Sequence, residues 1–157
     1  MKPLHRAATS VALVSLVAVG CETPPARVEL AMNVERHGAQ VRIDGTTDLL
    51  DGAILAYEVR HEDYEYDPET PIDMLFMEGL TTASDGRFEV EINISSFEPG
   101  EIEVWLAFQM HFINSDRKQP RQVISQFGER GERLLGANVT DHGEDGKRVE
   151  LSDTIHW

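Results

Sequence analysis

Hydrolytic or metal chemistry needs side chains at ligand spacing, and the histidines are the first test. His37, His61, His111, His142 and His156 follow residue 20, and no two lie within four residues of each other. The paired spacing that puts two imidazoles on one helix face for zinc is therefore missing. Only His61 stands beside two carboxylates, Glu62 and Asp63, which open an acidic run from His61 to Glu69. Glu62, Asp63, Glu65 and Asp67 are the weak metal candidates of the chain: hard oxygen ligands at near-alternate positions suit Ca²⁺, but the run lacks the glycine and closing bidentate glutamate of an EF-hand loop. A charge run is more commonly a solvated edge or loop, and Asp141 to Asp145 reads the same way. Tyr64 and Tyr66, interleaved with these acids, form the candidate partner-binding face, aromatic area inside a polar rim. His37 and His142 each precede glycine and read as turn residues. No G-x-S-x-G elbow or glycine-rich phosphate loop is present. Trp105 has the ring to stack on a sugar, though packing inside a sheet sandwich is the commoner fate of such a tryptophan. No catalytic residue and no cofactor is expected.

The chain has 157 residues, 14 Lys plus Arg against 28 Asp plus Glu, and a formal charge of −14. Phosphate binding needs clustered bases that displace counterions, so nucleic acid is not expected as a partner. With 41% hydrophobic residues the chain has enough apolar material for a core, and its length fits one domain, or one domain plus a tail.

Composition changes sharply at residue 21. Lys2, His5 and Arg6 precede Ala7 to Gly20, which contains no acid, and the only cysteine, Cys21, follows. A short positive start and an apolar middle mark a secretory signal, and Val11 to Gly20 is too short for a permanent span. A lone exported thiol has no partner for an internal disulfide. The stretch Val17-Ala18-Val19-Gly20-Cys21 resembles the lipobox of bacterial lipoproteins, with Ala18 where Leu or Val is more usual. That resemblance implies removal of residues 1–20, acylation of Cys21, export, and anchorage to a bacterial membrane through lipid on Cys21. Residues 21–26 would then be the lipidated N-terminus and linker, and 27–157 the folded domain. Losing one Lys and one Arg with the signal takes the charge from −14 to −16, so the body should stand off anionic headgroups.

From Arg27 onward the dominant period is two, the mark of half-buried strands. Val28, Leu30, Met32 and Val34 alternate with polar residues, and across His37-Gly38 so do Val41 and Ile43, which predicts a hairpin. Leu55, Tyr57 and Val59 form another strand after Asp51-Gly52. Phe88, Val90, Ile92 and Ile94 alternate clearly, and the apolar segment Ile72 to Leu80 should pair with them as a hairpin across Ser84-Asp85-Gly86. After the turn at Pro99-Gly100, Ile102, Val104, Leu106, Phe108, Met110 and Phe112 share one face of a long, central strand. Val149, Leu151 and Ile155 make a last strand. Pro120 to Phe127, closed by Gly128, predicts one or two helical turns. The fold class is all-β: an antiparallel Ig-like β-sandwich of seven to eight strands with at most one short helix.

Residues Ile43-Asp44-Gly45-Thr46-Thr47-Asp48-Leu49-Leu50-Asp51-Gly52-Ala53 resemble a Gly-x-Thr-Asn-Leu-Pro-Asp-Gly-Thr motif of secreted and lipid-anchored bacterial Ig-like proteins. Asp48 replaces Asn, Leu50 replaces Pro and Ala53 replaces Thr. Gly86-Arg87-Phe88, Pro99-Gly100, Gln119-Pro120 and Gly128-Glu129-Arg130-Gly131-Glu132-Arg133-Leu134-Leu135-Gly136 continue the resemblance in order, over most of residues 40–136. It implies a non-enzymatic envelope domain, a binding or structural module with an envelope protein as its candidate partner. Independently of any family, Thr47 and Asp48 can bond back to main chain and Asp51-Gly52 can turn it, giving a rigid link between sheets. The alternatives are a Ca²⁺-dependent ligand or adhesion module built on residues 61–69, a metal-dependent hydrolase using His61, and an inhibitor presenting a loop to an envelope protease.

Overall fold

Alternating apolar positions can be buried only if each sheet turns one face to another sheet, and this chain does so. The computed structural model describes residues 26–64, 74–112 and 115–157. Its elements are β1 (Ala26–Arg27), β2 (Leu30–His37), β3 (Gln40–Thr47), β4 (Ile54–His61), β5 (Phe76–Thr82), β6 (Arg87–Asn93), β7 (Glu101–Phe108), α1 (Arg121–Phe127), β8 (Leu134–Leu135), β9 (Val139–Asp141) and β10 (Lys147–His156). One sheet has the order β2-β3-β6 and the other β5-β4-β7-β10-β9, with antiparallel neighbours throughout. In immunoglobulin lettering these are strands A-B-E facing C′-C-F-G, with β9 added at the edge. The architecture is the expected all-β sandwich, and its seven strands of seven or more residues match the expected number.

Val41, Ile43, Phe88 and Ile92 of the smaller sheet share one core with Leu55, Val59, Val104, Leu106 and Phe108 of the larger. Each such side chain contributes about 1.5–3 kcal/mol on burial. The strand with the longest apolar face, β7, is central as expected, between β4 and β10. Hydrogen-bonded pairing stops at Phe108, short of the expected Phe112, although Met110 is still buried. Helix α1 begins after Pro120, ends at Gly128 (φ 93°) and closes one end of the core. There Phe127 meets Phe108 edge-on, centroids 5.3 Å apart.

Two expectations change. Residues 72–80 and 88–94 do not form a hairpin. Strand β5 pairs with β4 and β6 pairs with β3; β5 and β6 are joined by the Ser84–Arg87 bridge and by the Thr81 hydroxyl donating to the Glu89 carbonyl (3.1 Å), not by a strand ladder. The cause is a second turn docked on the first. The Asp85 amide donates to Asp51 Oδ1 (2.8 Å), and the Gly52 amide donates to the Ala83 carbonyl. Ala83 is thereby fixed in the core at the crossover, and the flanking strands leave for opposite sheets. The other change is one parallel pair: β1 lies beside β8, and Ala26, expected in the linker, donates its amide to Arg133 O (2.8 Å).

The 43–53 and 128–136 stretches have structural roles. Asp48 Oδ1 accepts the Glu29 amide (2.8 Å) and Thr47 Oγ1 accepts the Leu49 amide (3.2 Å), which stiffens the passage from β3 to β4. Gly52, at φ 83°, supplies the turn. In the later motif, Arg133 Nε donates to Gln126 O (2.8 Å) at the end of α1, and buried Leu134 anchors β8. The Glu132 carboxylate folds back onto main-chain amides, its own first and that of Arg130 second, and these hold its pKa below the usual value.

Candidate functional site

The acidic run begins at the end of β4, where His61 is buried and its neighbours are not. His61 Nδ1 accepts the Asp63 amide (3.1 Å), which leaves the ring proton on Nε2 in the neutral form. That nitrogen is buried, has no hydrogen-bond partner among the described residues, and faces Gly100, where an added Cβ would collide with it. Glu62 is engaged: its Oε1 accepts the Glu101 amide (2.9 Å) at the start of β7. Asp63 is exposed, with Oδ2 3.7 Å from His61 Nδ1. Tyr64 is half-buried and stacks on Phe76, centroids 4.9 Å apart. Arg60, paired with Glu103, completes a shallow depression here. Glu65, Tyr66 and Asp67, like Cys21 and the signal segment, lie outside the described residues.

The other histidines are not gathered to this place. His37 sits at a hairpin end 3.4 Å from Glu35, His142 Nε2 lies 3.0 Å from Glu150, and His111 and His156 are exposed. Among the described residues, no three His, Cys, Asp or Glu side chains are placed to hold a metal ion.

A different site occupies the outer face of the five-stranded sheet. Because side chains alternate, Ala56, Glu58 and Arg60 of β4 share that face with Ala107, Trp105 and Glu103 of β7, to which they are directly opposed. Glu58 therefore stands between Trp105 on one side and Glu78 of β5 on the other. Trp105 is half-buried on this outer surface and not inside the sandwich, which reverses the expectation from sequence. The inner positions of β7 were already filled by Val104 and Leu106. The next row toward α1 carries Leu80, Ala56 and Ala107, and two alanines beside an indole leave a depression.

That depression is a cleft of about 330 Å³ lined by Glu58, Glu78, Trp105, Gln109, Phe112 and Arg148, among others. It falls in the size range of small-molecule sites, and its mixture of aromatic, acidic, amide and guanidinium groups suits recognition. Burial is the main influence raising the Glu58 carboxyl above its ordinary 4.5; Glu78 and Glu103 add to it, while Arg60 and Arg148 oppose it. Gln109 is only 8% exposed, and its Oε1 has no hydrogen-bond donor among the described residues. An unmet buried acceptor costs about 1–3 kcal/mol. Its main-chain carbonyl is met: Gln119 Nε2 donates to it (2.7 Å) and also to Ile54 O (2.7 Å). Sequence reading had singled out neither Glu58 nor Arg148. The available signal was parity, since both fall on the Trp105 face once strand register is known.

No family model matches the chain, and no curated protein matches it in sequence. Among solved structures it is similar to catalytically inactive OgpA from Akkermansia muciniphila in complex with an O-glycopeptide substrate, glycodrosocin. The TM-score is 0.44 at 15% identity, over 87% of this chain and 30% of that one. The chain thus spans under a third of that protein's length. Among the described residues, no helix is long and apolar enough to cross a membrane.

Proposed function

We propose that the chain is an exported protein tethered to a bacterial membrane by lipid on Cys21, and that its folded body binds a partner or ligand rather than catalysing a reaction. The observation carrying the binding reading is the outer-face cleft, where Trp105 lies open beside Glu58 and an unmet buried acceptor on Gln109. Recognition groups converge there on a rigid sheet, as a binding site requires. The tether reading rests on the apolar, acid-free segment ending at a lone cysteine. One acyl chain gives marginal membrane attachment and two or more give stable attachment. Only Glu22 to Pro25 separate Cys21 from β1, a short spacer between the lipid and a folded body whose negative charge holds it off anionic headgroups.

Fractionation of the native cells tests the tether. The protein should sediment with membranes and Cys21→Ser should release it; membrane retention of Cys21→Ser would refute the tether. Affinity capture from detergent-solubilised envelope tests the binding face. Material retained by the wild type should be lost with Trp105→Ala, whereas equal retention would place the binding face elsewhere.

A further inference from the structure

The cleft also constrains the chemistry of what it binds, an inference that rests on the binding-module reading. We propose that it takes an uncharged saccharide, a pyranose ring lying on the indole of Trp105 with its hydroxyls directed to Glu58, Glu78, Arg148 and Gln109.

Three features support this class. An indole beside two alanines offers a flat apolar platform with open space over the neighbouring row, which matches the C–H face of a sugar ring. The polar lining has mixed capacity: carboxylates and an amide oxygen accept, while a guanidinium and an amide nitrogen donate. A polyhydroxylated ligand, whose every hydroxyl both donates and accepts, can satisfy all of them. The charges are also mixed. Arg148 disfavours a cationic side chain over Trp105, and the two glutamates disfavour an anion. The raised pKa of Glu58 fits the same picture, because a carboxyl that resists ionisation tolerates neutral hydroxyl partners.

Gln109 supplies a separate line of support. It lines the cleft, is more than nine-tenths buried, and keeps an acceptor without a donor. Native structures leave few such atoms, and each is accounted for by a bound water, an ion, strain or a functional role. A hydroxyl entering over the alanine row is a donor of the required kind.

The test is titration of the full-length mature protein in detergent with cellohexaose, maltohexaose, mannohexaose and chitohexaose, followed by calorimetry and by tryptophan emission. The chain has two tryptophans, so Trp157→Phe isolates the signal of Trp105. At least one oligosaccharide should bind with micromolar to low-millimolar affinity and perturb Trp105 emission. Trp105→Ala should weaken it at least about tenfold, Trp105→Phe should restore part of the loss, and circular dichroism should confirm that both variants fold. No binding by any of the four, or undiminished binding by Trp105→Ala, overturns the saccharide assignment. If envelope capture still depends on Trp105 in that event, the binding reading survives without it. Cleavage of a bound oligosaccharide would instead uphold the ligand class and overturn the non-catalytic reading.

Discussion

Gln119 clamps both main-chain groups of Ile54 across a sequence separation of 65: its Oε1 accepts the Ile54 amide at 2.9 Å and its Nε2 donates to the Ile54 carbonyl at 2.7 Å. The same Nε2 lies 2.7 Å from the Gln109 carbonyl, so one side chain ties the start of β4 to the chain leaving β7. That departing chain carries Phe112 and Ser115, which line the cleft. Gln119 thus links the stability of the sandwich to the shape of its outer-face site.

Replacing Gln119 by Leu should therefore destabilise the fold by roughly 2–4 kcal/mol, since three buried main-chain groups lose their partner. Urea denaturation should show a lower midpoint with an unchanged slope. A loss below about 0.5 kcal/mol, the scale of an ordinary surface change, would mean that these bonds are readily replaced.

Gly45 is required by close approach. A Cβ there would lie 1.9 Å from Ala31 O on β2 and 2.6 Å from the Phe88 ring, which crosses the position from β6. Gly45→Ala should cost about 2–3 kcal/mol, and Phe88→Leu should not rescue it, because the main-chain clash remains. A variant melting within about 1 °C of wild type would contradict this packing.

Strand positions were legible in sequence because burial on the inner faces imposes a two-residue period, as Val41 and Ile43 or Phe88 and Ile92 show. Pairing was less so. The apolar content of β5 and β6 fits a hairpin as well as it fits two sheets; the choice rests on Asp51 accepting from Asp85, a contact between turns that no local pattern reveals. The candidate site was hidden for a related reason. Trp105 lay on the polar side of its strand, but its proximity to Glu58, Gln109 and Arg148 depends on register across β4, β7 and β10 and on the path of the following loop.

The raised pKa of Glu58 predicts a pH-dependent penalty. Its folded-state value exceeds the ordinary 4.5, so the folded state favours the protonated form. Stability should fall as pH rises from about that value through the folded-state pKa. Arg60 and Arg148 ease the penalty while Glu78 and Glu103 deepen it. Glu58→Gln should accordingly melt higher than wild type near neutrality, and this advantage should disappear well below 4.5. An advantage independent of pH would rule out ionisation of Glu58 as its source.

Calcium provides a check on the acidic run. Glu62 already accepts the Glu101 amide, and His61 Nδ1 is committed to the Asp63 amide. Millimolar Ca²⁺ should leave the melting temperature unchanged, whereas a ligand held at one hundred times its dissociation constant would add about 2.7 kcal/mol. A rise abolished by Asp63→Asn would instead favour the calcium-dependent reading.

The tether is tested most directly by intact-mass and peptide mass spectrometry of protein extracted from its own cells. The account predicts a polypeptide beginning at Cys21 with a diacylglyceryl thioether on its sulfur. Protein retaining Met1, or carrying an unmodified thiol at position 21, would contradict it.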